Sequence, residues 1–107
     1  MIELPQIKID ELKSLHGELR KFSLERNGQS FVVRGPSNPE YERAIDKIGE
    51  GGRRRTEAVS ELGQACLVFP DAVDVARIVA TKPGVLMTAG NEALVIAGIT
   101  DAFSEKL

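Results

Sequence analysis

Apolar positions are densest between Thr56 and Pro70, where Val59, Leu62, Cys66 and Phe69 recur at helical spacing and every residue from Ala65 to Phe69 is apolar. This pattern predicts an amphipathic helix whose last turn is buried on all sides. It should stop at Pro70, because proline supplies no backbone N–H and its ring clashes with the preceding turn. Gly63 on this helix predicts the close approach of another backbone. The other helices are expected to pack around it, with Leu62 and Phe69 in the core.

Upstream, Ile7 and Ile9 alternate before the spacing shifts to Leu12 and Leu15, which reads as a short extended lead-in followed by a turn of helix capped by Asp10. LRKFSLER and QSFVVR then flank Asn27-Gly28, the dipeptide best suited to the positive φ angles of a two-residue hairpin turn. Phe31 and Val33 share one face of the second strand and Val32 takes the other. Leu19, Phe22 and Leu24 do not alternate cleanly, so the first strand needs a bulge or a start near Phe22. Gly35-Pro36 ends the hairpin. SNPEYERAIDKIG follows with Ser37 or Asn38 as cap, Pro39 in the first turn, and Tyr41, Ala44, Ile45 and Ile48 on one stripe, a complete helix signature.

Gly49 to Gly52 break that helix, and Arg53-Arg54-Arg55 leads into the central one. Beyond Pro70, Asp71 caps a helix over 71–82 with Val75, Ile78 and Val79 on one side; three alanines favour helix over strand despite the β-branched content. Pro83 opens the last long helix, whose stripe is Leu86, Ala89, Ala93, Leu94 and Ala97, with Gly98 as its stop and Gly90 admitting a neighbour. Thr100 begins a final turn or frayed tail carrying Phe103 and Leu107.

The pattern therefore predicts a mainly α (α+β) fold, an N-terminal β-hairpin followed by a compact bundle of about four helices. One domain is expected over 1–107: lead-in and hairpin to residue 36, helical core over 37–99, tail over 100–107. A chain of 107 residues is long enough to bury roughly two-thirds of its unfolded surface.

Charge removes several classes of function. Fourteen basic residues against sixteen acidic ones leave a net charge of −2, which gives no overall field toward nucleic acid or an anionic membrane. The N-terminus MIELPQIKID carries acidic residues where a secretion signal needs a basic start, and no stretch approaches the roughly 18 apolar residues of a membrane span. With one cysteine there is no internal disulfide, and a reducing compartment, the cytoplasm, is expected. The few aromatics (Phe22, Phe31, Tyr41, Phe69, Phe103) and the absence of Trp argue against base-stacking platforms.

The remaining chemistry-bearing residues have plain structural readings. GEGGRRRT resembles a phosphate loop only loosely: a helix precedes it rather than a strand, and the lysine of GxxxxGK[ST] is missing. It reads as an interhelical loop with a solvated basic start. His16, the one histidine, has no Ser, Cys or carboxylate placed beside it by spacing, and Cys66 lies on a buried helical face without the electropositive, exposed setting of a reactive thiol. The pairs Glu40/Glu42 and Asp71/Asp74 stand in first turns of helices, where the dipole accounts for them. No enzyme activity, cofactor or metal is expected.

An isolated two-stranded ribbon is marginal in water, so the hairpin must rest one face on the helices while its edges stay open to further strands. Phe22, Leu24, Phe31, Val32, Val33 and Arg34 are thus candidate protein-interaction residues. Val32 is expected on the outer face near Lys21 and Arg34, and self-association or client binding is expected through residues 19 to 34.

From IKIDEL through FVVRGPS, EYERAI and ELGQACLVFPD to KPGVLMTAGNEALVIAG, the ordered series over about residues 7 to 98 resembles the small tail assembly chaperones of long-tailed bacteriophages. Val33-Arg34, Glu40-Tyr41, Cys66, Pro70-Asp71 and Pro83-Gly84 carry the likeness, and GEGGRRR has no counterpart in it. The resemblance implies structural roles for these residues. It also implies a chaperone that acts in the host cytoplasm, binds the tape-measure protein, helps recruit tail-tube subunits and leaves the finished particle. Homo-oligomers are compatible with that role, and neither nucleic acid nor membrane is an expected partner. The competing expectation is a structural head–tail or tail completion protein that stays in the particle.

Overall fold

The computed structural model describes residues 2–25 and 28–98. In chain order these form α1 (Gln6–His16), β1 (Leu19–Ser23), β2 (Ser30–Arg34), α2 (Asn38–Ile48), α3 (Gly52–Cys66), β3 (Leu67–Phe69), α4 (Ala72–Thr81) and α5 (Gly84–Ile96). The mainly α class with a small β element stands as the sequence predicts. The sheet, however, has three antiparallel strands in the order β1-β2-β3, so β2 is its centre.

Leu67 to Phe69 is therefore not the last turn of the central helix. The chain leaves helical geometry at Leu67 (φ −68°, ψ 120°) and pairs Leu67 with Val33 and Phe69 with Val32, with an irregularity between the two pairs. A short apolar run before a proline fits a buried strand as well as a buried helix turn, and the vacant edge of β2 decides between them. The expected burial of all five residues also fails: Ala65 is exposed and Leu67 and Val68 are half-buried. The helical core expected over 37–99 thus supplies a strand to the sheet.

The sheet is sandwiched. Pairing of Phe22 with Phe31 and of Arg20 with Val33 puts these residues on the face toward α3 and α5, where Val33, Val59, Leu62, Cys66, Ala89, Ala93 and Leu94 form the main core. On the opposite face Val32 and Phe69 pack with Leu12 of α1 and with Ile2 and Leu4. That second core explains why α1 forms a full helix from Gln6, with Pro5 as N-cap, rather than starting at Asp10. Asp10 lies mid-helix and accepts from the Gln6 side chain at 2.9 Å. The chain ahead of α1 is pinned to the hairpin, because the Gln29 amide accepts from Ile2 N–H and donates to Ile2 C=O at 2.8 and 3.0 Å.

The connection between β1 and β2 is longer than a two-residue turn: the last cross-strand pair is Ser23 with Ser30, and Leu24, Glu25, Gly28 and Gln29 lie outside both strands. Asn27 lies outside the described residues, as does the final turn expected after Thr100. Other cap signals hold. Ser37 and Glu40 form a reciprocal capping box on α2, and Asp71 accepts from Asp74 N–H on α4 at 3.0 Å.

The Arg triplet belongs to the first turn of α3, not to a loop, because Gly51 and Gly52 at φ 72° and 56° turn the chain directly into the helix. Cations at a helix N-terminus oppose the dipole. Here acidic neighbours at helical spacing offset them, with Arg53–Glu57 at 3.2 Å and Arg54–Glu50 at 3.6 Å. These pairs are solvent-exposed, so replacing Arg53, Arg54 and Arg55 together by alanine is expected to move the urea midpoint by no more than about 0.5 kcal/mol equivalent.

The two long helices of the bundle meet at two glycines. A Cβ on Gly63 would stand 2.0 Å from the Leu86 carbonyl oxygen, and one on Gly90 would stand 2.0 Å from that of Val59. The neighbours expected separately at these positions are thus each other's helices, α3 and α5, crossing at backbone contact.

Candidate protein-interaction site

Five of the six residues proposed from sequence lie on the hairpin strands, and most of them face inward. Phe31, Val32 and Val33 expose 0, 2 and 0% of their surface, because β2 is covered on both faces and paired on both edges. Two expectations are corrected by this. Val32 is not on an outer face, since α1 and β3 cover it, and the second edge of the hairpin is not open, since β3 occupies it. Phe22 is half-buried and stacks on Phe31 with ring centroids 5.0 Å apart, on the face that packs against the main core. Leu24 lies beyond β1 and, with Ile2 and Ile78, lines an open cleft of about 450 Å³ between the hairpin loop and α4.

Arg34 ends β2 and ties three elements together. Its guanidinium donates to both carboxylate oxygens of Glu40 at 2.9 and 3.0 Å, to the Gly35 carbonyl at 2.9 Å, and to the Ala65 carbonyl at 2.9 Å. The planar fork suits this double grip, which a lysine could not reproduce. Glu40 is held in turn by the Ser37 N–H at 2.8 Å. The bond from Arg34, reinforced by Ser37 and opposed by partial burial, holds the Glu40 carboxyl at about 2, well below its ordinary 4.5. Cys66 lies alongside, fully buried. Burial raises its thiol to about 11, with Glu40 adding to the rise and Arg34 opposing it, so the group stays protonated at neutral pH.

Because Glu40 binds its proton more weakly folded than unfolded, its contribution to stability is complete above pH 4.5 and is lost as the pH falls from there toward 2. Glu40→Gln is therefore expected to be less stable at pH 7 and to show a shallower loss across that interval. Urea midpoints of the two proteins measured from pH 7 down to 2 should converge at the acid end.

Sequence reasoning missed the surface made by β3 and α4. Leu67, Val68, Val75, Val79 and Leu86 line a groove of about 200 Å³ between β3, α4 and α5. The signal available was the LVFPD junction itself, whose strand character shows only once β2 is known to need a partner. Val73 on α4 and Ile7 and Leu15 on α1 are large apolar side chains left exposed. No group of His, Cys, Asp or Glu arranged to hold a metal occurs among the described residues. Nor is any helix among them long and apolar enough to cross a membrane.

No family model and no curated protein matches the chain. A solved structure of an uncharacterised protein from Bacillus stearothermophilus is similar over 92% of this chain and 99% of that one, with a TM-score of 0.72 and 20% identity. At that identity the likeness is one of fold.

Proposed function

We propose that the chain is a non-catalytic tail assembly chaperone of a long-tailed bacteriophage, which keeps the tape-measure protein soluble in the host cytoplasm and helps bring tail-tube subunits to it. The observation that supports this reading is where the motifs of the resemblance meet. Arg34 of the strand end bonds Glu40 of the capped helix and the carbonyl beside Cys66, and Pro70-Asp71 follows directly on the strand that Cys66 introduces. Residues far apart in sequence that share one structural joint make the layout a coherent signature of a fold. A chaperone also needs replaceable apolar surface rather than a preorganised set of polar groups, and the open grooves and exposed Ile7, Leu15 and Val73 suit it.

Co-expression with a phage tape-measure protein tests the proposal. The expected result is a soluble complex of the two and, by mass spectrometry, this chain in infected cells but not in purified particles. A stoichiometric presence in the particles would instead identify a head–tail or tail completion protein. Insoluble tape-measure protein with no complex would remove the chaperone role.

A further inference from the structure

β1 is an edge strand. Its inner side pairs with β2, and among the described residues no strand lies beyond it. Beside it, between α1 and the sheet, opens a cleft of about 290 Å³, floored by Leu4, Ile9, Leu19 and Val32 and rimmed by Lys13 and Lys21. This is just under the roughly 300–1,000 Å³ of small-molecule pockets and suits one or two aliphatic side chains. Arg20 also lines the cleft and is paired with Glu92 of α5. No carboxylate lines it, and Lys13 and Lys21 form no ion pair among the described residues within 4.0 Å.

We infer that the open edge of β1 takes up an extended acidic segment of a partner protein as a fourth strand, whose apolar side chains enter the cleft between α1 and the sheet. Strand addition would satisfy the outward backbone groups of β1, and the cleft would select alternate side chains. Charge decides between occupants. Lysine on an edge strand discourages pairing with another cationic edge. Two copies meeting β1 to β1 would set Arg20 and Lys21 against the same pair, and like charges across strands are destabilising. An acidic strand meets attraction at the same positions. The inference rests on the protein-binding part of the proposed function and not on its viral identity, so failure to solubilise tape-measure protein and failure to bind the peptide below are separate results.

The probe is a fluorescein-labelled octapeptide, Thr-Val-Thr-Glu-Thr-Val-Thr-Glu, whose Val and Glu alternate along the single face that meets the cleft and its Lys13 and Lys21 rim, titrated into the full chain and followed by anisotropy. Binding is expected, weakening with salt, whereas the matching peptide with Lys in place of Glu should not bind. The Lys13→Glu, Lys21→Glu double variant should lose at least tenfold in affinity while keeping the parent's melting temperature, because both side chains are solvent-exposed. Two further probes are N-methylated on one or the other set of alternate amides. The set that faces β1 must abolish binding if the peptide adds as a strand, and hydrogen exchange should show protection of residues 19–23 by the unmodified peptide. Equal binding by the lysine peptide, or by both N-methylated peptides, would overturn the inference. So would a dimer by light scattering that the double variant dissociates while the peptide fails to bind, or peptide binding that appears only after residues 99–107 are removed.

Discussion

Gly63→Ala and Gly90→Ala are each expected to destabilise the protein by about 3 kcal/mol, at the upper end of overpacking penalties and a large share of the stability of a domain this size. The expected sign is the reverse of what helix propensity gives, since Gly→Ala in an exposed helix interior gains about 1 kcal/mol. The cause is geometric. The new methyl of residue 63 would lie 2.0 Å from the Leu86 oxygen and 2.7 Å from the Gly90 nitrogen; that of residue 90 would lie 2.0 Å from the Val59 oxygen. These are backbone atoms inside two hydrogen-bonded helices, so no rotamer change relieves the clash and the helices must separate. Separation would open the main core around Val59, Leu62, Ala89 and Ala93. Gly49→Ala is the control: φ is −61°, a Cβ there meets only ordinary contacts at 3.5 Å, and the variant should be unchanged or gain about 0.4–1 kcal/mol. Urea unfolding of the three variants checks the prediction. Stabilities for Gly63→Ala and Gly90→Ala close to the parent's would mean that α3 and α5 do not cross at these residues.

Phe31→Ala is expected to cost about 3–5 kcal/mol, the range for deleting a fully buried aromatic side chain. Phe31 is completely inaccessible, sits on the central strand and stacks on Phe22 at an interplanar angle of 15°. Phe22→Ala should cost less, because Phe22 is on the edge strand and only half-buried. Combined in a double-mutant cycle, the two should couple by about 1 kcal/mol, the contribution of a stacked pair beyond its buried area. A hairpin that merely covered a helical core would tolerate Phe31→Ala with a small loss. The size of the effect therefore measures how far the sheet is part of the core.

Both predictions turn on residues whose importance shows unequally in the sequence. Gly63 and Gly90 each announce a close neighbour, since a glycine inside an apolar helix stripe has little other use, but nothing in the spacing says that each serves the other. Asp71, and Ser37 as one of two candidate caps, could be read because a cap and its target N–H lie within three residues, whereas Glu40 was legible only as a helix-dipole charge and not as the partner of Arg34. Val32 could not. Its apolar character is compatible with either face, and α1, which covers it, was obscured by the Ile7 and Ile9 alternation that mimics a strand. The grip of Arg34 on the Ala65 carbonyl spans 31 positions, a distance over which sequence periodicity carries no information.

By itself, then, the sequence determined the local elements: the helices over 38–48, 72–81 and 84–96 with their caps and stops, and the second hairpin strand, whereas β1 pairs regularly from Leu19 without the bulge or later start that its spacing suggested. The helices and the second strand follow from hydrogen bonds and side-chain spacings closed within one or two turns. The tertiary structure decided what Leu67 to Phe69 would be. That tripeptide satisfies its backbone equally well as a helix end or a strand, and the unpaired edge of β2 offers it a ladder that a helix turn at Pro70 would forgo. The same choice closes one side of β2, buries Val32, and leaves β1, among the described residues, as the unpaired edge of the hairpin.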